Sequence, residues 1–165
     1  MIDDRFVRVE CAIRQLHANF VDAVWRQDSN DFAACFAPDG VWKIGGKEMH
    51  GREDIRAQVG PMLGQYTRIQ LVVQTCQLRL EGEVATSRQP MIELSQSKDG
   101  TGYLTIGFYH DRYRMVAGEW LFAERFWSLK YRGPTDLSAA MFETPDYGSF
   151  PAGPAPDETS FRRPG

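Results

Sequence analysis

The chain has 165 residues, of which 42% are hydrophobic and 25% charged, and its formal net charge is -3. That is enough chain for one sizeable core, too little for two ordinary domains, and it carries no basic footprint for nucleic acid. No apolar run approaches the roughly 20 residues of a membrane span, and the acidic start at Asp3 and Asp4 is unlike a signal peptide, so a soluble, cytoplasmic protein is expected.

Asp3 or Asp4 is placed to cap a first helix running to about Gln27. Ile13, Leu16, Phe20 and Val24 recur at helical spacing as its buried stripe, and His17, Val21 and Trp25 form a ridge beside it. Ser29 is expected to cap a short second helix, Asp31–Phe36, which Pro38-Asp39-Gly40 ends. Val41–Ile44 reads as a strand and Gly45-Gly46 as a turn. After Gly51 comes a third helix with Glu53 and Asp54 in its first turn, favourable for the helix dipole. Four strand-like segments follow: Arg68–Leu80, Val84–Ser95, Tyr103–Met115 and Glu119–Tyr131. Gly82 and Asp99-Gly100 mark the intervening turns.

The last two segments, joined by a tight turn at Val116–Glu119 with Gly118 in it, organise the rest. Strand alternation puts Tyr103, Thr105, Gly107, Tyr109, Asp111 and Tyr113 on one face. Leu104, Ile106, Phe108, His110, Arg112 and Arg114 lie on the other. The first face carries rings, a glycine and one carboxylate, which suits a pocket wall. Helices followed by an antiparallel meander argue for an α+β domain with a curved sheet wrapped over the helices. Residues 1–132 read as that single domain. The Pro- and Gly-rich stretch Gly133–Gly165 reads as a tail without periodicity.

Four motifs in order carry a resemblance: Arg26–Asp28 closing the first helix, Phe32–Ile44, His50–Ile55, and the paired strands Gly107–Phe126. Together they resemble the SnoaL-like branch of the superfamily named for nuclear transport factor 2, over about Val7–Arg132. The resemblance implies a cone: helices packed on a strongly curved, mostly antiparallel sheet around a pocket. Relatives include polyketide cyclases, scytalone dehydratase, ketosteroid isomerase and dioxygenase small subunits. Most of their acid/base residues do not carry over here. Where dehydratase-like relatives carry Asp and His, this chain has Trp25 and Gln70. Where isomerases carry Tyr and Asp, it has Phe20 and Ile44. Asp111 falls close to the isomerases' hydrogen-bonding Asp on the late strand.

The candidate catalytic residues are therefore His17, Tyr109 and Asp111. His17 is read either as a core-edge histidine or as a general base or acid, because an imidazole titrates near neutral pH. Asp111 is either ion-paired with Arg125 or a proton carrier in an apolar cavity. Trp25, Trp42, Tyr66, Gln70 and Arg125 are candidate substrate-binding residues. His110 is expected at a subunit interface and His50 in solvent. Three histidines without ligand spacing imply no metal, and no cofactor is implied. The three cysteines, Cys11, Cys35 and Cys76, read as small apolar residues of a reduced protein.

Two functions are compatible with these residues. One is a cofactor-independent lyase or isomerase acting by general acid/base catalysis on a small aromatic or polyketide-like molecule, through dehydration, isomerisation, cyclisation or retro-aldol-type cleavage. The other is a non-catalytic binding module or dioxygenase-type small subunit. The apolar outer sheet face implies a homo-oligomer.

Overall fold

The computed structural model describes residues 3–142 and 149–151. Helix α1, Asp4–Arg26, is capped by Asp3, whose carboxylate accepts the Phe6 N–H at 2.6 Å. Its buried residues Ile13, Leu16, His17, Phe20, Ala23 and Val24 recur at i+3 and i+4, the spacing that keeps one helix face inward. Helix α2 is Ser29–Ala34. It starts earlier than the expected Asp31 because Asp28, not Ser29, is the cap. The Asp28 carboxylate accepts from both Asn30 N–H and Asp31 N–H, at 2.9 and 3.0 Å. It also ends earlier, because Phe36 already pairs with Phe122 on the last strand.

Strand β1, Phe36–Ile44, turns at Gly45-Gly46 into β2, Lys47–His50. Sequence patterning does not reveal β2, a four-residue strand with only Met49 buried. Helix α3, Arg52–Leu63, buries Ile55, Val59 and Leu63. The meander then runs through β3 (Tyr66–Val73), β4 (Gln77–Glu81), β5 (Val84–Ser97), β6 (Gly102–Val116) and β7 (Glu119–Gly133). The sheet order is β2-β1-β7-β6-β5-β3, with β4 also on β5. Among the described strands only the β1–β7 pair is parallel.

The expected single strand Arg68–Leu80 is two strands. They lie end to end along β5, Val73 opposite Met91 and Gln77 opposite Arg88. Pro90 stands in the gap and has no N–H to offer the edge, so the ladder breaks there. Gln74 N–H still donates to the Pro90 carbonyl at 3.2 Å, and the Gln89 amide donates to Gln74 O at 2.7 Å.

On β6 the alternation holds: Thr105, Gly107, Tyr109, Asp111 and Tyr113 are buried, while Leu104, Ile106, Phe108 and His110 are half-buried. The helices cover the first face, so the first is concave and the second convex. Gly107 is where β7 comes closest. A Cβ there would lie 2.7 Å from the Ser128 carbonyl oxygen and 3.0 Å from Trp127 Nε1. Beyond β7 the chain turns back on the body: Tyr131 Oη donates to Pro134 O at 2.7 Å, and Phe142 N–H donates to Lys130 O at 2.8 Å. Most of the expected tail lies outside the described residues.

Candidate active site

Two polar groupings sit on the concave face, one inside the core and one on a cavity. The first gathers around the Tyr113 hydroxyl. It is 2.7 Å from His17 Nε2, 2.6 Å from Ser87 Oγ and 3.1 Å from Asp111 Oδ2. A hydroxyl has one hydrogen and an ionised carboxylate only accepts. With Asp111 ionised, Tyr113 therefore donates to Asp111 and accepts from Ser87 and from His17, which puts the imidazole hydrogen on Nε2. His17 Nδ1 is then a bare nitrogen, buried without a hydrogen-bond partner.

Arg125 supplies the counter-charge. Its Nε lies 3.3 Å from Asp111 Oδ1, and both side chains are fully buried. The contact is an ion pair without an aligned hydrogen bond, since both atoms are unsatisfied in that respect. The guanidinium instead stacks among rings, 3.6 Å from the Tyr109 centroid, 4.1 Å from Phe20 and 4.3 Å from Phe122. Arginine tolerates this because its planar cation is weakly hydrated and attracted to ring faces.

The ionisation states follow from burial. Desolvation raises the Asp111 carboxyl to about 6, with Arg125 and the Tyr113 hydrogen bond pulling it back. Desolvation, then repulsion from Arg125, holds His17 well below 6.5, although Asp111 Oδ2 is only 3.8 Å from Nε2. At neutral pH the histidine is thus neutral and the Asp111–Arg125 pair carries no net charge. The two readings of Asp111 are not exclusive: it is paired, and its pKa is nevertheless raised.

The cavity, about 290 Å³, opens between α1, α3 and the sheet. Phe20, Phe32, Trp42, Tyr66 and Tyr109 supply its rings, and Lys47 and Glu93 are the charged residues on its wall. Glu93 stands in a cross-strand row, Leu71–Glu93–Thr105–Arg132, over β3, β5, β6 and β7. Arg132 donates to Thr105 Oγ1 at 2.9 Å and to Tyr66 Oη at 3.2 Å, and its Nη1 lies 3.6 Å from Glu93 Oε1. Desolvation raises the Glu93 pKa, with Arg132 opposing. Burial likewise raises the Tyr66 and Tyr109 phenols.

The expected site residues divide among these places. His17, Asp111 and Arg125 come together in the core network, which the Phe20 and Tyr109 rings separate from the cavity. Tyr109, Trp42 and Tyr66 line the cavity. Trp25 and Gln70 do not. Trp25 is 60% exposed, and both line an open surface groove at the β3 edge. Trp25 lies eight residues beyond His17, about 80° further round the helix, which carries it off the buried face. On β3, Ile69 and Leu71 are buried, so alternation turns Gln70 outward. Sequence reading passed over Ser87, Tyr113 and Glu93 as site residues. Tyr113 was legible, two positions from Asp111 on the same face. Glu93 needed the β5–β6 register, which puts it opposite Thr105. His110 is half-buried on the convex face, where burial lowers it to about 4. His50 is exposed. Among the described residues, no cluster of His, Cys, Asp and Glu is built to hold a metal ion.

A helix-roofed cone with an aromatic cavity and polar groups on its inner wall defines a small α+β domain of the cone class. The chain belongs to the SnoaL-like domain family, whose model matches residues 6–126. No curated protein matches it in sequence. Solved structures share the fold at low identity. LinA superposes with a TM-score of 0.75 at 20% identity, over 88% of this chain and all of that one (100%). A scytalone dehydratase-like protein from Novosphingobium aromaticivorans gives 0.74 at 16%, over 90% and 100%. Rv3472 from Mycobacterium tuberculosis, a protein of unknown function, gives 0.71 at 24%, over 84% and 80%.

Proposed function

We propose that this protein is a cofactor-independent lyase- or isomerase-type enzyme. It moves protons on a small, apolar, ring-bearing molecule held in the cone cavity. The observation that carries the reading is the cavity itself: about 290 Å³, walled by five aromatic rings, with one carboxyl, Glu93, whose pKa burial raises toward neutrality. A carboxyl raised toward neutral pH inside an apolar pocket is what proton transfer at neutral pH requires. Names of similarly folded proteins, a dehydrochlorinase and a dehydratase among them, agree with elimination chemistry of this kind.

Of the expected trio, Tyr109 meets the bound molecule. Asp111 and His17 stand behind it and, through Arg125 stacked on the Tyr109 ring, fix the charge of the cavity floor. Copies of the chain associate through the convex face. The reading is tested with small cyclic ketones in D2O, 2-tetralone first, following exchange of the acidic C–H by NMR. Exchange above the buffer rate, saturable in ketone, is the expected result.

A second reading, a binding module without turnover, is favoured by one observation: the His17 imidazole is hydrogen-bonded to Tyr113 and lies off the cavity wall. Saturable ketone binding with exchange at the buffer rate would select it.

A further inference from the structure

Within the acid/base reading, the expected proton carriers lie behind the cavity wall, yet the wall has a carboxylate of its own. We propose that Glu93 is the proton-transferring group of the cavity, with Tyr66 donating a hydrogen bond to the oxygen that gains negative charge. The ligand class is a neutral, ring-sized molecule with an acidic C–H conjugated to an acceptor oxygen or leaving oxygen. This rests on the proposed function but assigns the chemistry to residues on β3 and β5 rather than to His17.

Four geometric observations support it. Glu93 lines the cavity with a side chain only 17% exposed, and its Oε1 accepts no hydrogen bond. Arg132 makes its aligned hydrogen bonds to Thr105 and Tyr66 and stands 3.6 Å from Glu93, where it and Ser95 partly offset the burial that raises the carboxyl pKa. That leaves the carboxylate oriented but basic. Tyr66 Oη accepts from Arg132, so its own hydrogen is free to point into the cavity it lines. Trp42, on the same wall, has a buried Nε1–H without an acceptor, which a second ligand oxygen satisfies. Arg132 is thus a positioning residue for the Glu93/Tyr66 pair. Burial of Glu93 raises its basicity, the direction a base acting near neutral pH needs.

The test uses 5-nitrobenzisoxazole, a ring-sized probe opened by one base. The Glu93 carboxylate takes the C3 proton. The C–H electron pair forms the nitrile as the N–O bond breaks, the charge passes to the phenolate oxygen facing Tyr66, and Glu93 returns its proton to water. The full chain is expected to accelerate this opening, faster as pH rises through the Glu93 pKa. Glu93→Gln should lower the rate by roughly 10²-fold or more while probe binding, read by tryptophan quenching, persists. Glu93→Ala should regain activity with added acetate, which a merely structural loss would not. Tyr66→Phe should slow the reaction and leave the pH midpoint in place.

If Glu93→Gln matches the parent rate, or Glu93→Ala is inactive and acetate restores nothing, the assignment is overturned. If the parent exchanges 2-tetralone but does not open the probe, Glu93 is overturned while the enzyme reading stands. If the parent does neither, both fall.

Discussion

His17 shows how a buried residue reports its environment through pH. Its pKa is lowered in the folded state, so as pH falls the unfolded chain takes up this proton first. The neutral imidazole's contribution to stability is therefore present above about 6.5 and lost below it, at about 1.4 kcal/mol per pH unit. Asp111 works in the opposite sense. Its pKa is raised to about 6, so its contribution is present at low pH and lost as pH rises through that value. Just below pH 6 the two act in opposite directions in the parent protein. His17→Gln removes one of them while its amide can still reach the Tyr113 hydroxyl. The variant should gain stability relative to the parent as pH falls from 7 to 5. Urea midpoints at pH 7, 6 and 5 check this, and parallel curves would mean that His17 titrates normally.

At the scale of the element, the β6–β7 hairpin contributes to both groups, Asp111, Tyr113 and Arg125 to the core network and Thr105, Tyr109 and Arg132 to the cavity side, so its turn and register matter most. Its two turn residues, Ala117 and Gly118, have φ of 50° and 89°. This is the left-handed pair that matches strand twist in a tight hairpin, and asparagine adopts it at less cost than alanine. Ala117→Asn is expected to stabilise the protein by about 0.5–1 kcal/mol, seen as a higher urea midpoint with an unchanged slope. Gly107→Ala should do the reverse. Its methyl meets the Ser128 carbonyl at 2.7 Å, backbone that moves only by disturbing the β6–β7 ladder. The expected cost is about 1–3 kcal/mol. A melting temperature equal to the parent's would show that the strands yield there freely.

For the whole molecule, the open question is what covers the convex face of the sheet. Cross-strand pairs Ile92–Ile106 and Leu94–Leu104 lie there beside Phe108, and Leu94 is 45% exposed. Among the described residues the helices cover the concave face, and this apolar strip stays partly exposed. The expected outcome is a dimer or higher assembly at micromolar concentration in sedimentation. Ile106→Glu should dissociate it while the far-ultraviolet spectrum is retained. A parent protein that sediments as a monomer would leave the face unpartnered and remove this argument.

Much of this architecture is local and therefore legible in the chain. Helical spacing gave α1, β-rich alternation gave β6 and β7, and a glycine turn joined them, because each depends on neighbours within a few residues. The same alternation put Tyr109, Asp111 and Tyr113 on one inward face, and the resemblance to SnoaL-like proteins supplied the cone. Other features are decided by contacts far apart in sequence. The break opposite Pro90 needs to know which edge its missing N–H faces. Trp25 and Gln70 leave the site because a helix phase and a strand parity, each read from a local pattern, are fixed only when the elements pack. Glu93, Tyr66 and Arg132 are scattered along the chain, and only the register of four strands sets them side by side on a cavity wall. Tertiary packing alone decides the pKa of Asp111, since the desolvation that raises it and the arginine that restrains it both come from elsewhere in the fold.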